Sequence, residues 1–376
     1  MKRQRGLSLI ELLVATVIGL AGTLAVMQVF VNSEAGRRTA GSMAESQSSG
    51  MVGLYALQRD IQQAGLGFAR LEALGCQIDS DTNLNGSLLQ PIAIIPDGAA
   101  AGSADNPWGI PSGDAGSDMI VVAYGDTTSM IEGAKLPIPV TAGSTVFRVS
   151  SIAGINSMNN ADYGMIVEGG RNCLLTKIIN ATATFDVTMQ ASGSASYTTS
   201  GFFLELGRSP QFAAFAIRNN TLTRCDFMQS DCAGGDVDDT SVWVPVAGDI
   251  AAMQAQYQMD TSAPMDGYAD VSCKFRPAGA SCGTSGAPGN SGLAQAQRAC
   301  DWLRTRAVQV ALVTRSSHAE KEEVSPATIK LWEDSVTVPT TTGPVYTVPD
   351  RHFRYRTTYG AIPLRNVIRI DNSTTC

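Results

Sequence analysis

Histidine is nearly missing from this 376-residue chain; His318 and His352 are the whole complement. No two of its cysteines stand in a C-x-x-C pair. These two shortages leave little from which to build a His- or Cys-ligated metal centre. Charge is scarce as well, at 16% of residues, and its balance is acidic, with a formal net of −7. An acidic chain has no broad electrostatic footprint for nucleic acid, which leaves only a local basic patch to consider. Proline is absent before Pro91, so nothing in the first part of the chain forces a helix to break. No phosphate loop, dinucleotide fingerprint or pair of catalytic carboxylates stands out, and the reading is of a non-enzymatic protein.

What is present is a large apolar fraction, 44%, which supports a packed core and argues against general disorder. The 37 glycines, with frequent serine and threonine, favour strands, turns and loops over a helical bundle. Eight scattered cysteines, Cys76, Cys173, Cys225, Cys232, Cys273, Cys282, Cys300 and Cys376, read as disulfides formed in an oxidising compartment. The local pairs Cys225–Cys232 and Cys273–Cys282 are expected; the other pairings stay open.

The chain starts with a short basic leader, MKRQRG, followed by an apolar run from Leu7 to Val31 whose single charge is Glu11. As a helix this run is roughly 37 Å long, enough to cross a bilayer's hydrocarbon core. Lys2, Arg3 and Arg5 would hold the N-terminus in the cytoplasm and leave the remainder in the periplasm. A carboxylate inside such a run is costly, on the order of 2.5–3.5 kcal/mol for a charged group at a helix centre. Cleavage after Gly6 supplies its partner, because the new α-amino group on Leu7 lies one helical turn from Glu11.

The segment G-L-S-L-I-E-L-L-V-A, Gly6 to Ala15, resembles the prepilin motif of type IV pilins and type II secretion pseudopilins. The resemblance implies that a prepilin peptidase cuts between Gly6 and Leu7 and that the new Leu7 N-terminus is methylated. Glu11 then takes the place of the glutamate that pairs with that amine during assembly. Leu7 departs from the phenylalanine that is commonest there. Later segments are similar to those of PilW-type minor pilins. Leu57–Gly67 (LQRDIQQAGLG) looks like the turn that ends the family's N-terminal helix, and Asp118–Tyr124 like its first strand. Val246–Asp260 resembles a segment in which a short helix leads into an M-Q-x-x-Y strand. Val308–Ser316 and Arg354–Arg369 resemble the closing strands.

The residues themselves support a helix from Leu7 to about Ala64, with Met51, Leu54, Tyr55, Leu57, Ile61 and Ala64 forming an apolar stripe that lies on a sheet. Gly36, Gly41, Gly50 and Gly53 are expected weak points in it. Strands are expected at Met119–Tyr124, Met165–Val167, Phe202–Leu206, Val242–Val246 and Val308–Val313. A further half-buried strand is expected where Phe353, Tyr355, Thr357 and Tyr359 alternate with polar neighbours. Ile94–Gly116 and Pro264–Gly292 read as exposed insertions.

Other motifs are weaker. Asp81, Asn83, Asn85 and Gly86 fit the first half of a calcium loop, but Ile92 stands where its bidentate glutamate belongs. A polar turn is therefore favoured, with calcium the alternative. Asp231, Asp236, Asp238 and Asp239 read as a solvated acidic loop. Gly289-Asn290-Ser291-Gly292 has the outline of a protease nucleophile loop without an identifiable base. Arg351, Arg354, Arg356, Arg365 and Arg369 form the one basic concentration, read as the polar face of strands or as a contact for an acidic neighbour or DNA.

The expected architecture is α+β and pilin-like: a long N-terminal helix packed on an antiparallel sheet, with large loop insertions. Its parts are a leader (1–6), a transmembrane and filament-core helix (7–31), the amphipathic half of that helix (32–69) and a β-rich periplasmic domain (70–376). The expected function is that of a minor pilin that primes or caps assembly of a type IV pilus, first in the inner membrane and then at the cell surface. The resemblance implies as partners other minor and major pilins, the prepilin peptidase and the inner-membrane assembly platform. The alternatives are a type II secretion pseudopilin and a secreted or tethered adhesin or hydrolase with a conventional signal peptide.

Overall fold

The computed structural model describes residues 9–103, 105–126, 133–152, 162–260, 262, 265–269, 271–273, 295–332 and 345–367. Within them the fold is α+β. One helix, Leu9–Gln63, runs 55 residues without a break, about 82 Å at the standard rise. Its last third lies on two antiparallel sheets. The first sheet has the order Val244–Ala247, Thr221–Asp226, Gln211–Arg218, Met119–Tyr124, Ile92–Ile95. The second runs Val271–Cys273, Ile250–Met259, Thr305–Arg315, Tyr355–Pro363. Met119–Tyr124 is buried along its whole length, as a central strand with no polar positions should be.

A third, seven-stranded sheet is inserted between two paired strands of the first. Tyr124 and Gln211 are direct ladder partners, and the chain between them folds into most of that sheet. Its strands Tyr163–Val167, Cys173–Ala181 and Phe202–Gly207 turn one face to the main core and the other to a separate cluster around Phe147, Ile166 and Phe203. Ile78–Ser80 joins Cys173–Ala181 in parallel, beside a disulfide between Cys76 and Cys173. That bond spans 97 residues, and no local spacing announced it. Cys225 and Cys232 are bonded to each other, one of the two expected local pairs. Cys300 is also disulfide-bonded, whereas Cys282 and Cys376 lie outside the described residues.

The stripe by which the helix meets the sheets differs from the apolar periodicity. Met51 and Tyr55 are 58% and 69% exposed, whereas Ser42, Ser46, Gly50 and Gly53 are buried along with Leu57, Ile61 and Ala64. Close approach selected these small residues. A β-carbon on Gly50 would stand 2.8 Å from Thr314 Cγ2 and 3.0 Å from Thr358 Oγ1; one on Gly53 would stand 2.9 Å from Ile250 Cδ1 and 3.0 Å from Leu312 Cδ1. The glycines expected to loosen the helix are, at these two positions, what lets it seat. Gly50→Ala is accordingly expected to destabilise the protein by ~1–2 kcal/mol in urea unfolding, despite its better helix propensity. The two stiff, branched threonines cannot swing clear. Gly53→Ala should cost less, because it meets the ends of flexible side chains.

Other expectations are corrected in the same way. Val246–Asp260 contains no short helix: strand Val244–Ala247 passes through Gly248 and Asp249, the latter at φ 56°, directly into Ile250–Met259 on the other sheet. The expected strand Val242–Val246 is shifted to Val244–Ala247, and Trp243 before it is buried. The segment from Ile94 to Gly116 is not a wholly exposed insertion. Ile94 and Ile95 end a strand, and Asn106, Trp108 and Ile110 are buried, with Trp108 5.4 Å from Phe227 between ring centroids. Tyr359 is 53% exposed rather than inward; Thr358 and Gly360 are the residues of that strand that face the helix. A helix at Gln295–Arg304, unforeseen, sets Trp302 edge-on to Tyr257 at 5.8 Å.

Tyr257 joins the sheets: its hydroxyl accepts from the Ile94 amide at 2.8 Å. Burial pushes this phenol and that of Tyr197 upward, and pushes Tyr124 and Tyr346 up to about 12. A folded-state value above the unfolded one means that the fold holds the proton more tightly. The associated stability is complete below the ordinary value of 10.0 and is lost as pH rises through about 12. Urea midpoints should therefore fall between pH 10 and 12, in step with tyrosinate absorbance.

Candidate assembly surface on the N-terminal helix

From Leu9 to Val31 the helix packs against no other element among the described residues. Its large apolar side chains stand exposed, from 53% at Val14 to 79% at Leu9. The stretch is long and apolar enough to cross a membrane by length and composition. Its hydroxyls are turned inward: Thr16 donates to the Leu13 carbonyl and Thr23 to that of Leu20, each at 2.8 Å. The helix therefore presents an outer surface with almost no unmet hydrogen bonds, as lipid or a dry helix bundle requires. Glu11 is the exception. It lies in the first described turn, exposed, with no cation near it among the described residues. Gly6 and Leu7, the expected cleavage and methylation positions, lie outside the described residues.

At the other end the helix is fixed to the body by charge as well as by packing. Asp60 is 1% exposed, with its carboxylate 3.3 Å from Arg224 Nε and 3.3 Å from Arg59 Nε. The Tyr124 hydroxyl bonds the same carboxylate, and Arg224 donates on to Gln211 Oε1 at 2.5 Å. The network thus connects the helix to three adjacent strands of the first sheet. The helix stops just beyond it. Gly65 and Gly67 take positive φ, and the Gly65 amide donates to the Ala123 carbonyl, which draws the chain onto the central strand. Asn366, distant in sequence, donates from Nδ2 to the Gln63 carbonyl at 3.0 Å and caps the helix end. The Arg-Asp pair was visible in the sequence; its partner Arg224 and the Asn366 cap were not.

The remaining candidates are tied into the structure locally. Asp81 accepts from Gln190, and Asn85 accepts from the Ser80 amide, so that loop is a turn closed by its own side chains. Asp231, Asp236 and Asp239 each bond backbone amides two or three residues on, and Asp238 accepts from Asn219. Among the described residues no group of three His, Cys, Asp or Glu side chains is placed to hold a metal ion. The serine loop at 289–292 lies outside them. Of the arginine series, Arg351 is paired with Glu323 and Arg354 with Glu320. Arg356 and Arg365 are exposed with no ion pair among the described residues, and Arg369 lies outside the described residues. His352 donates from Nδ1 to the Glu320 carbonyl, and His318 Nδ1 shares a hydrogen bond with the adjacent, exposed Ser317 hydroxyl.

Two family models match the chain. Residues 214–366 match that of type IV pilus-assembly protein W, and residues 1–27 match that of the prokaryotic N-terminal methylation motif. No curated protein and no solved structure matches it. The two family matches, from opposite ends of the chain, support a PilW-type minor pilin of a type IV pilus.

Proposed function

We propose, from the two pilin matches and the bare apolar helix, that this chain is a structural subunit that primes or caps type IV pilus assembly. The observation that carries the reading is a helix whose first half, among the described residues, stands exposed while its second half is bolted to the sheets. Such a helix needs a second environment for its apolar surface. Lipid supplies it before assembly, with the body on the periplasmic side, and a bundle of like helices supplies it afterwards. The transfer exchanges one apolar surrounding for another, so hydrophobic burial changes little and polar contacts set the register.

Glu11 is the group that does this. In a dry bundle its carboxylate requires a cation, and the α-amino group of a processed Leu7, one helical turn away in sequence, would provide one in the same subunit or its neighbour. The role is one of binding and positioning, with the other pilins, the prepilin peptidase and the assembly platform as partners. N-terminal mass spectrometry of the protein from its native membrane tests the reading. A chain starting at methylated Leu7 is expected; one that keeps its leader, or starts near Gly22, would overturn it. Recovery with sheared pili rather than with a secretion complex separates the pilus subunit from a pseudopilin.

A further inference from the structure

We propose that the outer edge of the Tyr355–Pro363 strand is a docking site that accepts an extended, acidic segment of a neighbouring subunit as an added strand. The pilin reading enters only as the source of that segment.

The other sheet edges among the described residues are short or covered. Val146–Arg148 and Val271–Cys273 have three residues each, Ala134–Lys135 has two, Ile92–Ile95 is buried throughout, and Val244–Ala247 contains Pro245 and pairs through a bulge. Tyr355–Pro363 is nine residues long, last in its sheet, and pairs with Thr305–Arg315 without one break in register. Beyond either end of the strand the same register continues, with the Ser316 amide donating to the Arg354 carbonyl at 2.8 Å and the Leu364 amide to that of Arg306 at 3.0 Å. Even-numbered residues therefore bond inward. The amides and carbonyls of Tyr355, Thr357, Tyr359 and Ala361 consequently face outward, and no described residue bonds them. Pro363 falls in this outward phase, where a missing N–H costs the ladder nothing.

Natural sheets blunt such edges with bulges, charges or proline. Here the protection is confined to the ends, Arg356 and Pro363, and the six residues between carry no charge. Arg356 and Arg365, both exposed and neither ion-paired among the described residues, sit toward the two ends of the edge in a chain of net charge −7. Their neighbours Arg351 and Arg354 are neutralised within the fold. An open row of donors and acceptors takes a strand, and two free guanidinium groups beside it select one that carries carboxylates.

The test is amide hydrogen exchange on the full-length chain in detergent, with a peptide of alternating valine and aspartate as the probe and its valine–lysine counterpart as the control. The acidic peptide is expected to slow exchange at Thr357, Tyr359 and Ala361 by roughly tenfold or more. The double variant Arg356→Glu, Arg365→Glu should lose that protection. Ala361→Pro, which removes an outward donor the fold does not use, should weaken it and leave the inward amides protected. No slowing with the acidic peptide, or equal slowing with the basic one, would overturn the proposal. Because this assay involves no pilus, its failure is distinct from absence of the chain from sheared pili, which counts against the pilin reading instead.

Discussion

Replacing Glu11 by alanine is expected to leave the protein folded, membrane-inserted and processed, and to lower its incorporation into pili by about 100- to 4,000-fold. The magnitude follows from what remains after the carboxylate is gone. On the proposed processing and topology, the Leu7 amine reaches water and headgroups while in lipid, so removal of its partner has little effect there. In the helix bundle it cannot, and breaking a buried pair by deleting one member costs ~3–5 kcal/mol. The domain makes no contact with Glu11, so the thermal unfolding of the body should not change. Glu11→Gln separates charge from hydrogen bonding: it keeps a carbonyl acceptor but no charge, and should restore only a minor part of the loss. The measurement is the amount of this chain in sheared pili relative to the membrane fraction. Normal incorporation of the alanine variant would remove Glu11 from the mechanism.

The second large effect concerns Asp60. Asp60→Ala should destabilise the folded chain by ~3–5 kcal/mol in urea unfolding, because it leaves Arg224 facing a site built for its charge and strips the Tyr124 hydroxyl of its acceptor. Asp60→Asn retains hydrogen bonding and should cost less, ~1–3 kcal/mol. The double variant Asp60→Leu, Arg224→Met is informative. If the pair's attraction little more than offsets its desolvation, this apolar replacement will be far milder than the alanine change, and the cycle will show strong coupling. The consequence reaches assembly as well. The network fixes the direction in which the helix leaves the body, so a subunit without it should present its helix less rigidly and enter pili poorly even where it still folds.

The anchor helix, the strand at Met119–Tyr124 and the strand containing Val308–Val313 were all legible in the sequence, because each is announced by neighbouring residues. A long apolar run, a continuous buried run and the absence of proline are local signals, and they act through backbone geometry that needs no distant partner. The family likeness was legible for the same reason, resting on a short motif at the start. Where the reading failed, the deciding residue lay far away. Periodicity put Met51 and Tyr55 on the sheet, but Thr314, Thr358, Ile250 and Leu312 come so close that Gly50 and Gly53 take those places beneath the helix.

Sequence alone thus determined that this chain has a bare apolar helix bearing one carboxylate, ahead of a β-rich body with paired cysteines. Tertiary structure alone decided that Cys76 meets Cys173, that Asp60 meets Arg224, and that Arg351 and Arg354 are neutralised while Arg356 and Arg365, by an open strand edge, have no ion pair among the described residues. The division has a physical cause. Whether a segment can be a helix or strand depends on its own side chains, whereas burial, pairing and charge balance depend on which distant surface the fold brings within a few ångströms.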